Sequence, residues 1–107
     1  MKPIVVTTAN DIPGRQIKEV LGVVRGNTVR TRNVGVDIGA VMKNLVGGEI
    51  KNYTQLTNQS RDEAFNRMVN NAVDLGADAI IAMRFTTSVV MSGASEMLAF
   101  GTAVKLK

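Results

Sequence analysis

The pattern of hydrophobic and polar positions predicts one long amphipathic helix in the middle of this sequence. Between Glu49 and Leu75, apolar residues recur at intervals of three and four, opposite a face of charged and amide side chains. Ser60 and Glu63 have the spacing of a capping box, but the apolar stripe crosses them without a shift. A single helix is therefore predicted, about 40 Å long at about 1.5 Å per residue, and Gly76 ends it.

Alternating apolar and polar residues, bounded by turn residues, predict strands on both sides of this helix. On the N-terminal side the pattern indicates a short strand over 4–8 and a longer strand over 16–26, in which Gly22 marks a bulge or a close backbone approach. It also indicates a loop or short edge strand over 27–33 and a short helix over 36–46. On the C-terminal side, residues 79–91 and 96–106 predict an antiparallel hairpin.

The hairpin sequence also predicts a surface for subunit contact. If residues 92–95 form a four-residue loop, the larger apolar side chains fall on one face, and the other face holds small residues and one arginine. Small side chains suit the close approach of another protein surface, and one helix covers only one face of a sheet. The predicted oligomer-contact residues are Arg84, Ala99, Gly101 and Ala103.

Length and composition indicate one ordinary globular domain over residues 1–107. Apolar residues make up 45% of the chain and charged residues 21%, as in soluble proteins. The apolar runs are far shorter than the ~20 residues that a membrane-spanning helix needs. The start of the chain lacks the extended apolar region of a signal peptide, so we expect a cytoplasmic protein without a membrane partner.

The sequence contains neither cysteine nor histidine, which removes disulfides, thiol chemistry, and the commonest metal ligand and general base. The methionines at 68, 83 and 91 have the spacing of packing residues. Ser60, Tyr53 and Lys43 are conceivable as nucleophile, acid and base, but a serine among charged helix residues usually caps or contacts solvent. No catalytic residue, metal ligand or cofactor is predicted.

The formal net charge of +4 lies wholly in the first half of the chain. Most of it comes from five residues: Arg15, Lys18, Arg25, Arg30 and Arg32. Such cations can contact phosphates, or they can protect strand edges from pairing with other chains. Nucleic acid is not favoured as a partner, because no aromatic residue that would stack a base lies among these cations.

Four segments resemble the YbjQ-type family of small bacterial and archaeal proteins, whose label is heavy-metal-binding. They are "LVGGE" (45–49) with Tyr53, "SRDEA" (60–64), "LGADAII" (75–81) and "GTAVK" (101–105). The resemblance implies an α+β, dodecin-like β-α-β-β subunit. Its antiparallel three-stranded sheet has the last strand in the centre and packs on one long helix, with short extra strands and a short helix. It also implies a ring-shaped homopentamer, and only the resemblance supplies the number five.

The functional hypothesis is an oligomeric binding or scaffold module of unknown biochemical function, with any small ligand held at subunit contacts. The candidate ligand-binding residues are Lys43, Gly47, Gly48, Glu49 and Tyr53. Glycine amides before a helix can cradle an anion, and tyrosine offers a stacking face and a hydroxyl. The simpler interpretation is that Tyr53 packs on the hairpin and Glu49 favours the helix N-terminus. The alternatives are a metal-binding protein, as the family label suggests, and a nucleic-acid-binding protein that uses the basic first half.

Overall fold

The chain forms one helix and four strands in a computed structural model that describes residues 4–31, 49–91 and 94–107, with the backbone alone for 30–31 and 49–56. The elements are β1 (Val5–Val6), β2 (Ile17–Thr31), α1 (Glu49–Asp74), β3 (Ala79–Met91) and β4 (Ala94–Leu106). The short helix predicted over 36–46 lies outside the described residues.

The strands form one mixed sheet in the order β1-β3-β4-β2. β4 pairs antiparallel with β2 on one side and with β3 on the other, and β1 pairs parallel with β3. The α+β class and the position of the last strand between two others are thereby confirmed. The dodecin-like subunit and its ring assembly stay predictions.

The predicted long helix is confirmed, and the chemistry of its C-terminus explains where it ends. Gly76 has a φ of 80°, in the left-handed region that glycine enters at little cost. The backbone N–H of Gly76 donates to the carbonyl of Val73, and that of Ala77 donates to the carbonyl of Ala72. These two bonds form the Schellman arrangement, which satisfies carbonyls that the helix leaves free.

β2 is longer than the sequence pattern predicts, because residues 27–31 continue the strand as part of the sheet edge. The predicted bulge at Gly22 is confirmed by a shift in pairing between Val20 and Gly22, where Gly22 has a φ of 130°. The strand therefore bends at a residue without a Cβ.

The core lies between α1 and one face of the sheet, and α1 lies mainly over β2 and β4. The fully buried side chains there include Val24, Met68 and Ile80. A Cβ built on Gly26 would fall inside contact distance of the backbone of Ala64 and Met68. The helix backbone thus rests directly on β2 at a position that only glycine can occupy without displacement.

The predicted hairpin register is wrong. Met91 pairs with Ala94, so only residues 92 and 93 separate the strands instead of four, and Arg84 pairs with Phe100 instead of Ala103. The register shifts by one residue between Val89 and Met91, and an extra β3 residue near Ala82 shifts it again between Ile81 and Arg84. Ala82 has a φ of 52°, which is uncommon for a residue with a Cβ.

This register reverses the predicted faces of β4. Ala99 and Ala103 are fully buried in the core beneath α1, so their assignment to a subunit contact is wrong. Gly101 is also buried, and a Cβ there would lie 2.6 Å from Ile80 Cγ2, a side chain of the same core. The small residues do accommodate a close surface, but that surface is the helix of the same chain.

A second, smaller cluster covers one end of the opposite, helix-free face. It contains Ala79, Ile81, Val104 and Leu106, with Ile12 and Ile17 packed against it. A turn that bridges Ile12 and Arg15 brings the N-terminal segment over this end. The rest of the helix-free face has no cover within the described part of the chain.

Candidate functional site

The outer edge of β2 is capped by side chains of the helix. The backbone N–H of Arg25 donates to Asn71 Oδ1 at 3.2 Å, and Arg67 Nη1 donates to the carbonyl of Asn27. These bonds occupy backbone groups that an added strand would need, so this part of the edge is closed to strand pairing.

The outer edge of β3 is closed only in its first half. Beside β1, the N–H of Ala82 donates to the carbonyl of Ala9 at 2.8 Å, and that of Met83 donates to the carbonyl of Thr7 at 3.0 Å. From residue 84 to residue 91, β4 is the only strand that pairs with β3 among the described residues, and every one of these residues is exposed.

We call residues 85–91 the hairpin tip. Its largest exposed apolar side chains are Phe85, Val89, Val90 and Met91, and Val89 is 79% exposed. Exposed apolar groups beside unpaired backbone N–H and C=O groups are a combination that soluble proteins usually avoid or use for binding. The tip is therefore the clearest candidate contact surface among the described residues.

Arg84, predicted to lie away from the core, is exposed as the sequence pattern indicates. Its Nη1 donates to the carbonyl of Thr8 at 2.9 Å and to that of Met83 at 2.8 Å. The guanidinium thus fastens the N-terminal segment beside the bulge in β3. Whether Arg84 also meets a neighbouring subunit stays a prediction.

The predicted ligand-binding residues are only partly within the described part of the chain. Lys43, Gly47 and Gly48 lie outside it. Glu49 and Tyr53 belong to the first turns of α1, where the backbone alone is described. Ligand binding by these five residues therefore stays a prediction.

The cations of the first half of the sequence do not gather at one place in the described residues. Arg15 lies at the covered end of the sheet, where its Nη2 donates to the carbonyl of Lys107 at 3.2 Å. Arg25 lies on β2, with Phe100 opposite it on β4 and Arg84 opposite Phe100 on β3. Sequence reasoning missed this row because its three members come from distant segments that only the register brings together.

The donor set does not fit a heavy-metal site. Soft metal ions prefer thiolate, thioether and imidazole ligands, and the chain lacks cysteine and histidine. Of the thioethers, Met68 and Met83 are buried in the core, and Met91 is exposed at the hairpin tip without a thiolate or imidazole to join it. The described residues contain no group of three or more acidic side chains placed to hold an ion.

Comparison with known proteins places the chain in a family. The model of the YbjQ family, described as "Putative heavy-metal-binding", matches residues 4–107. The chain belongs to this family. Relatives of the chain include UPF0145 proteins from Archaeoglobus fulgidus, 55% identical over 99% of this chain and 98% of that protein, and from Methanoculleus marisnigri, 56% identical over 96% of each.

A solved structure supports the fold. It is the crystal structure of a protein of unknown function from the DUF74 family of Pediococcus pentosaceus, with a TM-score of 0.65. The alignment covers 97% of this chain and 98% of that one at 21% identity, so it carries the fold alone. In the described part of the chain, no helix is both long enough and apolar enough to cross a membrane.

Proposed function

We propose that this YbjQ-family protein is an oligomeric binding or scaffold module, assembled through the hairpin tip. The observation that carries the proposal is the outer edge of β3 over residues 84–91, which has no second strand beside it in the described part of the chain and exposes apolar side chains. An edge of this kind gains hydrogen bonds and buried apolar area when another chain pairs with it.

The asymmetry of the two sheet edges supports contact at one end of the subunit. The β2 edge is capped at Arg25 and Asn27, and the first half of the β3 edge is occupied by the N-terminal segment. The resemblance to the YbjQ family is the sole basis for a ring of five. The proposal also includes a small ligand held at a subunit contact by the predicted residues Lys43, Gly47, Gly48, Glu49 and Tyr53, because clefts between subunits often bind ligands.

Heavy-metal binding remains the function that the family description names. We do not favour it for this chain, because its side chains offer neither thiolate nor imidazole.

Sedimentation equilibrium at micromolar concentration tests the assembly. We expect the wild-type protein to sediment as a closed oligomer and Val89→Lys to sediment as a smaller species, since a lysine at this 79% exposed position places charge in the proposed contact. Val20→Lys is the matched control, because Val20 is 61% exposed but lies away from the tip.

Thermal unfolding must show that both variants keep a folded subunit. A monomeric wild-type protein would overturn the proposed assembly. An oligomer that Val89→Lys leaves intact and Val20→Lys dissociates would move the contact from the hairpin tip to the sheet face.

A further inference from the structure

A row of three side chains crosses the helix-free face of the sheet near its middle. Arg25 on β2 pairs with Phe100 on β4, and Phe100 pairs with Arg84 on β3. The neighbours of Phe100 along β4 alternate with it, and Ala99 faces α1, so Phe100 faces away from the helix. With strands about 4.8 Å apart, the two arginine Cα atoms lie about 10 Å apart on either side of the ring.

This row is accessible and positively charged. Arg25 and Arg84 are exposed and Phe100 is half-buried, so each has surface available to a ligand. The nearest acid in the paired strands on this face is Glu96, and its Oε2 already accepts a hydrogen bond from Asn27 Nδ2 at 3.2 Å. Among the described residues of the paired strands, the two arginines are therefore the charges that flank Phe100.

The guanidinium of Arg84 is held in place and retains donor capacity. Both of its hydrogen bonds, to the carbonyls of Thr8 and Met83, come from Nη1. Within the described part of the chain, Nη2 and Nε make no further hydrogen bond. A fixed guanidinium with free donors is well suited to a phosphate group.

We propose that this row binds single-stranded nucleic acid, with a base stacked on Phe100 and neighbouring phosphates paired with Arg25 and Arg84. An aromatic ring on a sheet face with cations beside it is the arrangement by which open sheets hold unpaired bases. A single strand exposes its bases to such a ring, whereas a duplex keeps them stacked. In the sequence, the cations of the first half of the chain have no aromatic residue among them. In the fold, Phe100 of β4 lies beside one of them, Arg25.

The row meets the proposed assembly only at Arg84, the first residue of the β3 edge over 84–91, so the test uses variants of Arg25 and Phe100, which lie outside that edge. The test is fluorescence anisotropy of a labelled oligothymidylate of about ten nucleotides, a length within the range that one sheet-type binding module covers. Binding should weaken as salt increases. Arg25→Gln should reduce the affinity and lower the slope of log affinity against log salt by about 0.7.

Arg61→Gln is the matched control, because it removes one exposed cation from the helix and leaves the row unchanged. Phe100→Leu should weaken binding about tenfold through loss of base stacking, while Phe100→Tyr should retain it. Circular dichroism melting shows whether each variant is folded. If Phe100→Leu does not fold, Arg25→Gln and Phe100→Tyr decide the result.

Competition identifies the ligand. An unlabelled single strand should displace the probe, whereas adenosine monophosphate, inorganic phosphate and duplex DNA should do so only at far higher concentrations. Equal competition by any of these three would overturn single-strand binding. So would the absence of salt-dependent binding, equal losses for Arg25→Gln and Arg61→Gln, or full binding by a folded Phe100→Leu variant.

Discussion

The two outer edges of the sheet differ in what covers them: side chains of α1 cap β2, and the N-terminal segment pairs with part of β3. At β2, Asn71 and Arg67 reach from α1 to the backbone of Arg25 and Asn27 and close the edge. At β3, the N-terminal segment pairs with the edge as far as Met83, and no further pairing partner lies among the described residues. Because α1 lies mainly over β2 and β4, its described side chains protect the nearer edge and do not reach the farther one.

The position of the helix that produces this difference depends on Gly26. The backbone of α1 approaches Gly26 so closely that a Cβ would collide with backbone atoms of Ala64 and Met68. A flexible side chain can move away from such a collision, but helix backbone moves only as a unit. One glycine therefore determines how near the helix lies to β2 and whether Asn71 can reach the edge.

The largest effect should come from Gly26→Ala. The added methyl group must displace α1, and we expect a loss of about 3 kcal/mol in the free energy of unfolding, at the upper end of the cost of overpacking. Urea denaturation measures this loss. Val23→Ala is the control, because Val23 is 73% exposed and its truncation should change stability by under about 0.5 kcal/mol. Equal stability of both variants would show that the helix can shift without cost.

The element order was predictable because each element carries a local signal. The stripe from Glu49 onward and the stop at Gly76 predict α1, and the bulge at Gly22 follows from a glycine inside a strand. These features depend on side-chain periodicity and on backbone freedom at single residues, which sequence records directly.

The register was not predictable because it depends on small local departures from the pattern. One-residue shifts between Val89 and Met91 and near Ala82 change which β3 and β4 residues share a face, and alanine gives no signal for a φ of 52°. The small residues Ala99 and Ala103 fit a helix as well as a subunit. The row of Arg25, Phe100 and Arg84 depends on this register, so it too appears only in the fold.

A smaller effect should follow from Asn71→Ala, which removes the acceptor for the backbone N–H of Arg25. We expect a loss of about 1 kcal/mol, the net value of one hydrogen bond, and faster hydrogen exchange at the Arg25 amide. Asn70→Ala is the matched control, since it makes the same change in helix propensity at an exposed neighbouring position. The difference between the two variants isolates the cap. No difference would mean that water replaces Asn71 at this edge without cost.

The smallest effect on global stability should come from Arg84→Gln, at the point where protection of the β3 edge ends. Arg84 is exposed, so we expect a loss of under about 1 kcal/mol in the free energy of unfolding. Its effect should be local, because the bond from Nη1 to the carbonyl of Thr8 holds the segment whose neighbouring carbonyls accept the amides of Ala82 and Met83. Those two amides should exchange about fivefold faster with solvent deuterium, measured by NMR.

Arg15→Gln is the control: it removes another arginine-to-carbonyl bond, at the covered end of the sheet, and should leave the exchange of both amides unchanged. Unchanged exchange in Arg84→Gln would show that β1 holds the edge without the arginine.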